Sequence, residues 1–165
     1  MIHNHNIKQG TVIIGNKSCH FKSAWEANIA CYYEYLKSIN QIKDWEYEPI
    51  TFWFEKIKRG VRSYKPDFRI TDLDNSFYYV EVKGWMDSKS KTKLNRMRIY
   101  YPEIKLVLID SKQYQEISKG YRNIRPNWGI LEKTLRENKD KEYSLLNIIY
   151  LQILNKNYYE FTTKS

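Results

Sequence analysis

The chain has 165 residues, enough for one domain around a single core, and its 42% hydrophobic and 28% charged residues are those of a folded, soluble protein. Two cysteines, Cys19 and Cys31, are too few and too scattered for a disulfide framework, and no apolar stretch approaches the roughly 18 residues of a membrane span. Lys and Arg number 28 against 19 Asp and Glu, a net charge of +9 that draws the protein to polyanions, of which nucleic acid is the commonest.

Nothing at the N-terminus reads as a charged start followed by an apolar run, so a cytoplasmic, reduced protein with no membrane partner is expected. Residues 11–14 (TVII) fit a short strand. From Ser23 to about Ser38, Trp25, Ile29, Tyr32, Tyr33 and Leu36 recur at helical spacing. Residues 44–54 (DWEYEPITFWF) read as a strand with Pro49 at a bend or edge. Residues 64–71 (YKPDFRIT) lead through the turn-like DLDN at 72–75 into 77–83 (FYYVEVK), as a hairpin would. A second helix fits 88–101, with Pro102 ending it, and IKLVLID at 104–110 fits a buried strand. A short helix to about Lys119 follows, then a connection over 121–129. From Ile130 the chain reads as helical and is strongly apolar between Leu145 and Leu154, which suits either docking on the core or a homodimer contact. The order helix, three strands, helix, strand, helix predicts an α/β fold with a central mixed sheet flanked by helices. Residues 1–120 form the expected core domain and 121–165 a C-terminal helical extension.

The chemistry concentrates in two adjoining strands. In YYVEVK, period-two alternation puts Glu81 and Lys83 on one face and Val80 and Val82 on the other. Hairpin pairing brings Asp67, after Pro66, beside Glu81. Two carboxylates held that close repel unless a cation lies between them, and oxygen ligands suit Mg²⁺, with Mn²⁺ as a substitute. Lys83 on the same face can orient a water and steady charge building on a phosphate. The plain alternative is an ion pair on a solvated sheet face. One carboxylate by itself would favour that; Pro-Asp followed fourteen positions later by Glu-Val-Lys argues against it.

KPDF at 65–68 followed by VEVKGW at 80–85 resembles the PD-(D/E)xK nuclease superfamily. A wider likeness, through FKSAWEANIACYYEYLK, WEYEPITFWF and the stretch to LVLID, covers roughly residues 11–118. It is similar to small endonucleases common in bacteriophages and prophages, and in layout to phage junction-resolving endonucleases and transposon-end-cleaving nuclease domains. The resemblance implies a restriction-endonuclease-like core and hydrolysis of DNA phosphodiester bonds with Mg²⁺ activating the water, leaving a 5′-phosphate. Asp67 and Glu81 would be metal ligands, with the Val82 carbonyl a further one, and Lys83 would position the water. Glu26 matches the family's helix glutamate and would complete the metal cluster. Ser23-x-x-Glu26 is equally a capping box, and one rotamer cannot serve both roles at once. Glu46 and Glu48 are weaker substitutes, and Glu34 is expected at the surface.

Residues 88–99 hold five basic residues and no acid. Lys89, Lys93, Arg96 and Tyr100 recur on one helix face, with Lys91 nearby, and form the expected DNA-binding stripe; Leu94, Met97 and Tyr101 would face the core. Lys56, Lys58, Arg59 and Arg62 around Gly60 make a second basic loop. His3, His5, Cys19 and His20 match no zinc spacing, and His3-Asn4-His5 lacks the hairpin and helix its nuclease class needs. Two rivals remain: a Holliday-junction or branched-DNA resolvase of the same fold, and a DNA-binding or inhibitory protein that does not cut. RNA is the alternative substrate for the same chemistry.

Overall fold

Eight strands and three helices make up the described part of the computed structural model of this chain, which covers residues 9–124 and Trp128. In chain order they are β1 (Gly10–Ile14), β2 (Lys17–Phe21), α1 (Ala24–Ser38), β3 (Asp44–Tyr47), β4 (Phe52–Trp53) and β5 (Ser63–Tyr64). Then come β6 (Phe68–Thr71), β7 (Phe77–Val82), α2 (Ser88–Tyr100), β8 (Leu106–Ile109) and α3 (Ser111–Ile124). The chain divides into two units, residues 1–28 with 126–165 and residues 29–125.

In the first unit β1 and β2 form an antiparallel hairpin, Ile14 paired with Lys17 across Gly15 and Asn16. Gly15 has φ 61°, a conformation this tight turn requires and a side chain would strain. Val12, Ile14 and Phe21 are buried. The sequence suggested only the first strand, because KSCHF carries one buried apolar residue, Phe21, and so no hydrophobic alternation.

The second unit is built on a four-stranded sheet of order β3-β6-β7-β8. The β3–β6 and β6–β7 pairs are antiparallel and β7–β8 is parallel. A parallel neighbour cannot be reached by a tight turn, and α2 supplies the crossover. On one sheet face Tyr33 of α1 packs on Phe68, ring centroids 5.6 Å apart, beside Trp45 and Tyr47. Tyr121 of α3 meets Tyr32 and Tyr35 of α1 edge-on and bonds the Cys31 carbonyl, so α3 lies with α1. On the other face Tyr79 joins Phe52, Phe54, Tyr64 and Met97 in a buried cluster, with Leu94, Tyr100 and Tyr101 packed against it. Both faces of β7 are therefore covered: one by α1, the other by α2 and the small β4–β5 sheet.

Two expected strands break in two. DWEYEPITFWF divides into β3 and β4, which belong to different sheets, because Glu48 at φ 45° turns the chain out before Pro49. YKPDFRIT divides into β5 and β6 at Pro66, which has no N–H to continue a ladder. The hairpin through 72–75 forms with Phe68 opposite Val80, closed by bonds between Asp72 and Ser76 and between Asn75 and Asp72. Helix α3 continues past Lys119 to Ile124, so the expected connection from 121 begins helical and the division at 120 falls inside this helix. The apolar helix expected from Ile130 lies outside the described residues. The fold is a mixed α/β one, with a central mixed sheet and three helices among the described residues. No helix among them is long and apolar enough to cross a membrane.

Candidate active site

Asp67 sits where the chain passes from the small sheet to the central one. Phe68 pairs with Val80, so the antiparallel register sets Asp67 opposite Glu81. Its main chain is pinned on the β3 side, where the Glu48 N–H donates to the Asp67 carbonyl at 2.7 Å. Its side chain is pinned on the β7 side, where the Val82 N–H donates to Oδ2 at 2.7 Å. An aspartate at this place thus ends one ladder and caps the next.

Glu81 is buried, with 9% of its surface exposed. The Tyr64 hydroxyl, itself buried, donates to Glu81 Oε2 at 2.9 Å. Burial first, then the charge and hydrogen bond of Glu81 and the charge of Asp67, push the Tyr64 phenol far above its usual pKa. Both carboxylates therefore act on one neutral hydroxyl, and that hydroxyl remains a donor. Tyr64 was not among the expected site residues: it precedes the KPDF motif, and only the break at Pro66 turns it toward Glu81.

Lys83 lies just past β7, half-buried, its N–H bonded to the Ile109 carbonyl at 2.9 Å. Its charge also reaches Asp87, which caps α2 through Ser90 N–H at 2.7 Å. The Ser90 hydrogen bond, with a smaller contribution from Lys83, holds the Asp87 carboxyl below its usual pKa. Lys83 thus links the end of β7 electrostatically to the start of α2.

Glu26, in the first unit, is buried in a capping arrangement. The Ser23 hydroxyl donates to Oε1 at 2.8 Å, the Glu26 N–H donates to Ser23 Oγ at 3.2 Å, and the Lys22 N–H donates to Oε2 at 3.0 Å. In a capping box the carboxylate takes the amide of the cap residue, here Ser23; in this helix it takes the amide one residue earlier, that of Lys22. Glu34 is half-buried rather than a surface residue, because it accepts the Trp45 indole N–H at 2.7 Å. Glu46 pairs with Arg69, and Glu48 with Lys65 at 3.3 Å.

The expected DNA-binding stripe divides. Lys89 and Lys91 are exposed and Lys93 is half-buried. Arg96 instead donates to the Val61 carbonyl and lies over the Phe54 ring, and Tyr100 packs on Phe54 at 5.5 Å. Residues 90, 94, 97 and 101 line the inner face, and Arg96 and Tyr100 flank it closely enough to be drawn into the aromatic cluster. Lys56, Lys58, Arg59 and Arg62 are all exposed around Gly60, whose φ is 76°.

Asp67 and Glu81, and the carbonyl of Val82 that follows Glu81 on β7, are oxygen donors of the type that Mg²⁺ or Mn²⁺ takes. Among the described residues no three or more His, Cys, Asp or Glu side chains gather at one point. His20 pairs with Thr11, and the Cys19 thiol is pushed up in pKa by burial; His3 and His5 lie outside the described residues. Comparison with protein-family models, with curated proteins and with solved structures finds no match for this chain.

Proposed function

We propose that the protein is a Mg²⁺-dependent DNA endonuclease whose centre is Asp67, Glu81 and Lys83 on a restriction-endonuclease-like core. The observation that carries this reading is the place of Asp67, which the β6–β7 register extended by one residue sets opposite Glu81, with Glu81 buried and held by Tyr64. Two carboxylates held on one face of adjoining strands repel each other, and a divalent cation between them removes that repulsion.

Asp67 and Glu81 would hold the ion, with the Val82 carbonyl as a further donor. The ion, when bound, supplies charge neutralisation at the phosphate and a lowered pKa for water. Asp67 cannot swing away, because Val82 N–H fixes one carboxylate oxygen. Tyr64 fixes one oxygen of Glu81 in the same way. Lys83 orients the attacking water and offsets charge on the phosphate oxygens. Lys89, Lys91 and Lys93 on α2 attract the DNA backbone beside the centre.

Incubation with supercoiled plasmid, linear duplex and a four-way junction, in Mg²⁺ or in EDTA, tests this. Cutting in Mg²⁺ or Mn²⁺, none in EDTA, and a rate at least about 100-fold lower in Lys83→Ala with DNA binding retained are expected. Robust cutting in EDTA, or a Lys83→Ala protein as active as the wild type, overturns the reading.

A further inference from the structure

Trp85 is the most exposed of the large apolar side chains among the described residues, with 81% of its surface in water. It stands two residues beyond Lys83 on the bend between β7 and α2. That bend is anchored at both ends. Lys83 N–H bonds the Ile109 carbonyl on one side, and on the other Asp87 holds Ser90 N–H through its side chain and Lys91 N–H through its carbonyl. An indole on a short, tethered bend is a flat apolar surface presented at little further cost in ordering. Lys83 lies two positions before it and the exposed Lys89 and Lys91 four and six positions after it, with the Asp87 carboxylate between, so cations stand on both sides of it along the chain.

We infer that Trp85 stacks on an unpaired nucleobase next to the phosphate held at Asp67, Glu81 and Lys83, and makes the protein selective for DNA with single-stranded or displaced nucleotides. The inference rests on the nuclease reading for the location of the phosphate. In a continuous duplex both faces of each base are covered by its neighbours, so an indole meets only sugar and groove edge and gains little. At a gap, flap or branch a base face is free, and stacking on an aromatic side chain becomes available whatever the base. The cations account for attraction to any DNA, and the indole accounts for the difference between one DNA and another.

The test is binding of the full chain to a continuous duplex and to the same duplex carrying a short single-stranded gap, in Ca²⁺, which permits binding with little cutting. Trp85→Ala is expected to weaken binding to the gapped DNA by about 5- to 150-fold and to leave duplex binding within about twofold. Trp85→Phe, which keeps a ring, should recover most of the loss. Because the side chain is exposed, circular dichroism of both variants should match the wild type. Equal affinities of Trp85→Ala and wild type for both DNAs overturn the inference, as does an equal loss on both. Unchanged DNA affinities with loss of self-association would make Trp85 a contact between copies and overturn it too. Cutting in Mg²⁺ is scored separately. Trp85-dependent binding of gapped DNA without any cutting would sink the nuclease reading, and with it the place of the phosphate, while the stacking of Trp85 and the selectivity stand. Cutting of both DNAs that is the same in Trp85→Ala would sink this inference and leave the nuclease reading.

Discussion

Removing the Tyr64 hydroxyl tests the site at the point where fold and chemistry meet. In Tyr64→Phe the ring can still pack against Phe52, Phe54, Tyr79 and Met97, so the aromatic cluster should persist. What disappears is the 2.9 Å bond to Glu81 Oε2, made by a residue 1% exposed to an acceptor 9% exposed. A hydrogen bond to a charged group contributes about 1.5–3 kcal/mol, and a buried carboxylate that loses its donor sits at the upper end. For a chain of this length that corresponds to a melting temperature lower by about 3–12 °C. The phenol is held far above its ordinary pKa, so the wild-type bond should last well into alkaline pH. Thermal unfolding in EDTA is the first assay. Calorimetric titration with Mn²⁺ is the second, with an affinity about 10–100-fold weaker expected once Glu81 is free to turn. The double variant Tyr64→Phe/Glu81→Gln should be less destabilised than the sum of the two single ones. An unchanged melting temperature together with unchanged Mn²⁺ affinity would refute the view that Tyr64 positions Glu81.

Asp67→Asn keeps an oxygen for the Val82 N–H and removes repulsion with Glu81, so in EDTA it should melt no lower than wild type while losing cutting. Asp67→Ala strands that N–H and should cost about 1–3 kcal/mol; an alanine variant as stable as the asparagine one would refute the capping role. Glu26→Gln can still accept from Lys22 N–H and donate to Ser23 Oγ, and cleavage within a few-fold of wild type is expected; a loss of about 100-fold or more would refute a capping role alone. Lys89, Lys91 and Lys93 changed together to Ala should reduce the slope of log affinity against log salt by about 2.7, at about 0.9 per phosphate contact, and an unchanged slope would place the DNA elsewhere. Arg96→Ala should instead lower stability by about 1 kcal/mol through the lost Val61 bond, readable by urea unfolding.

Local pattern alone carried much of this. The spacing of Ile29 and Tyr33 marked α1, Pro102 marked the end of α2, and the turn residues at 72–75 marked the β6–β7 hairpin. Once that hairpin was legible, so was the neighbourhood of Asp67 and Glu81, because antiparallel register is arithmetic along two adjacent strands. The helix cap at Ser23 and Glu26 was legible for the same reason: its parts lie within one turn. What only tertiary structure decided depends on contacts between distant segments. Nothing in YKPDF says that Tyr64 belongs to a different sheet from Phe68 and so reaches Glu81. A helical wheel puts Arg96 with the lysines of α2, yet the Val61 carbonyl and the Phe54 ring, more than 30 positions away, draw it inward. Period-two alternation says which side of β7 carries Glu81, but not whether that side meets water. The small β4–β5 sheet and α2 cover it, and that burial makes Glu81 a site with a held carboxylate instead of a charge on a wet surface.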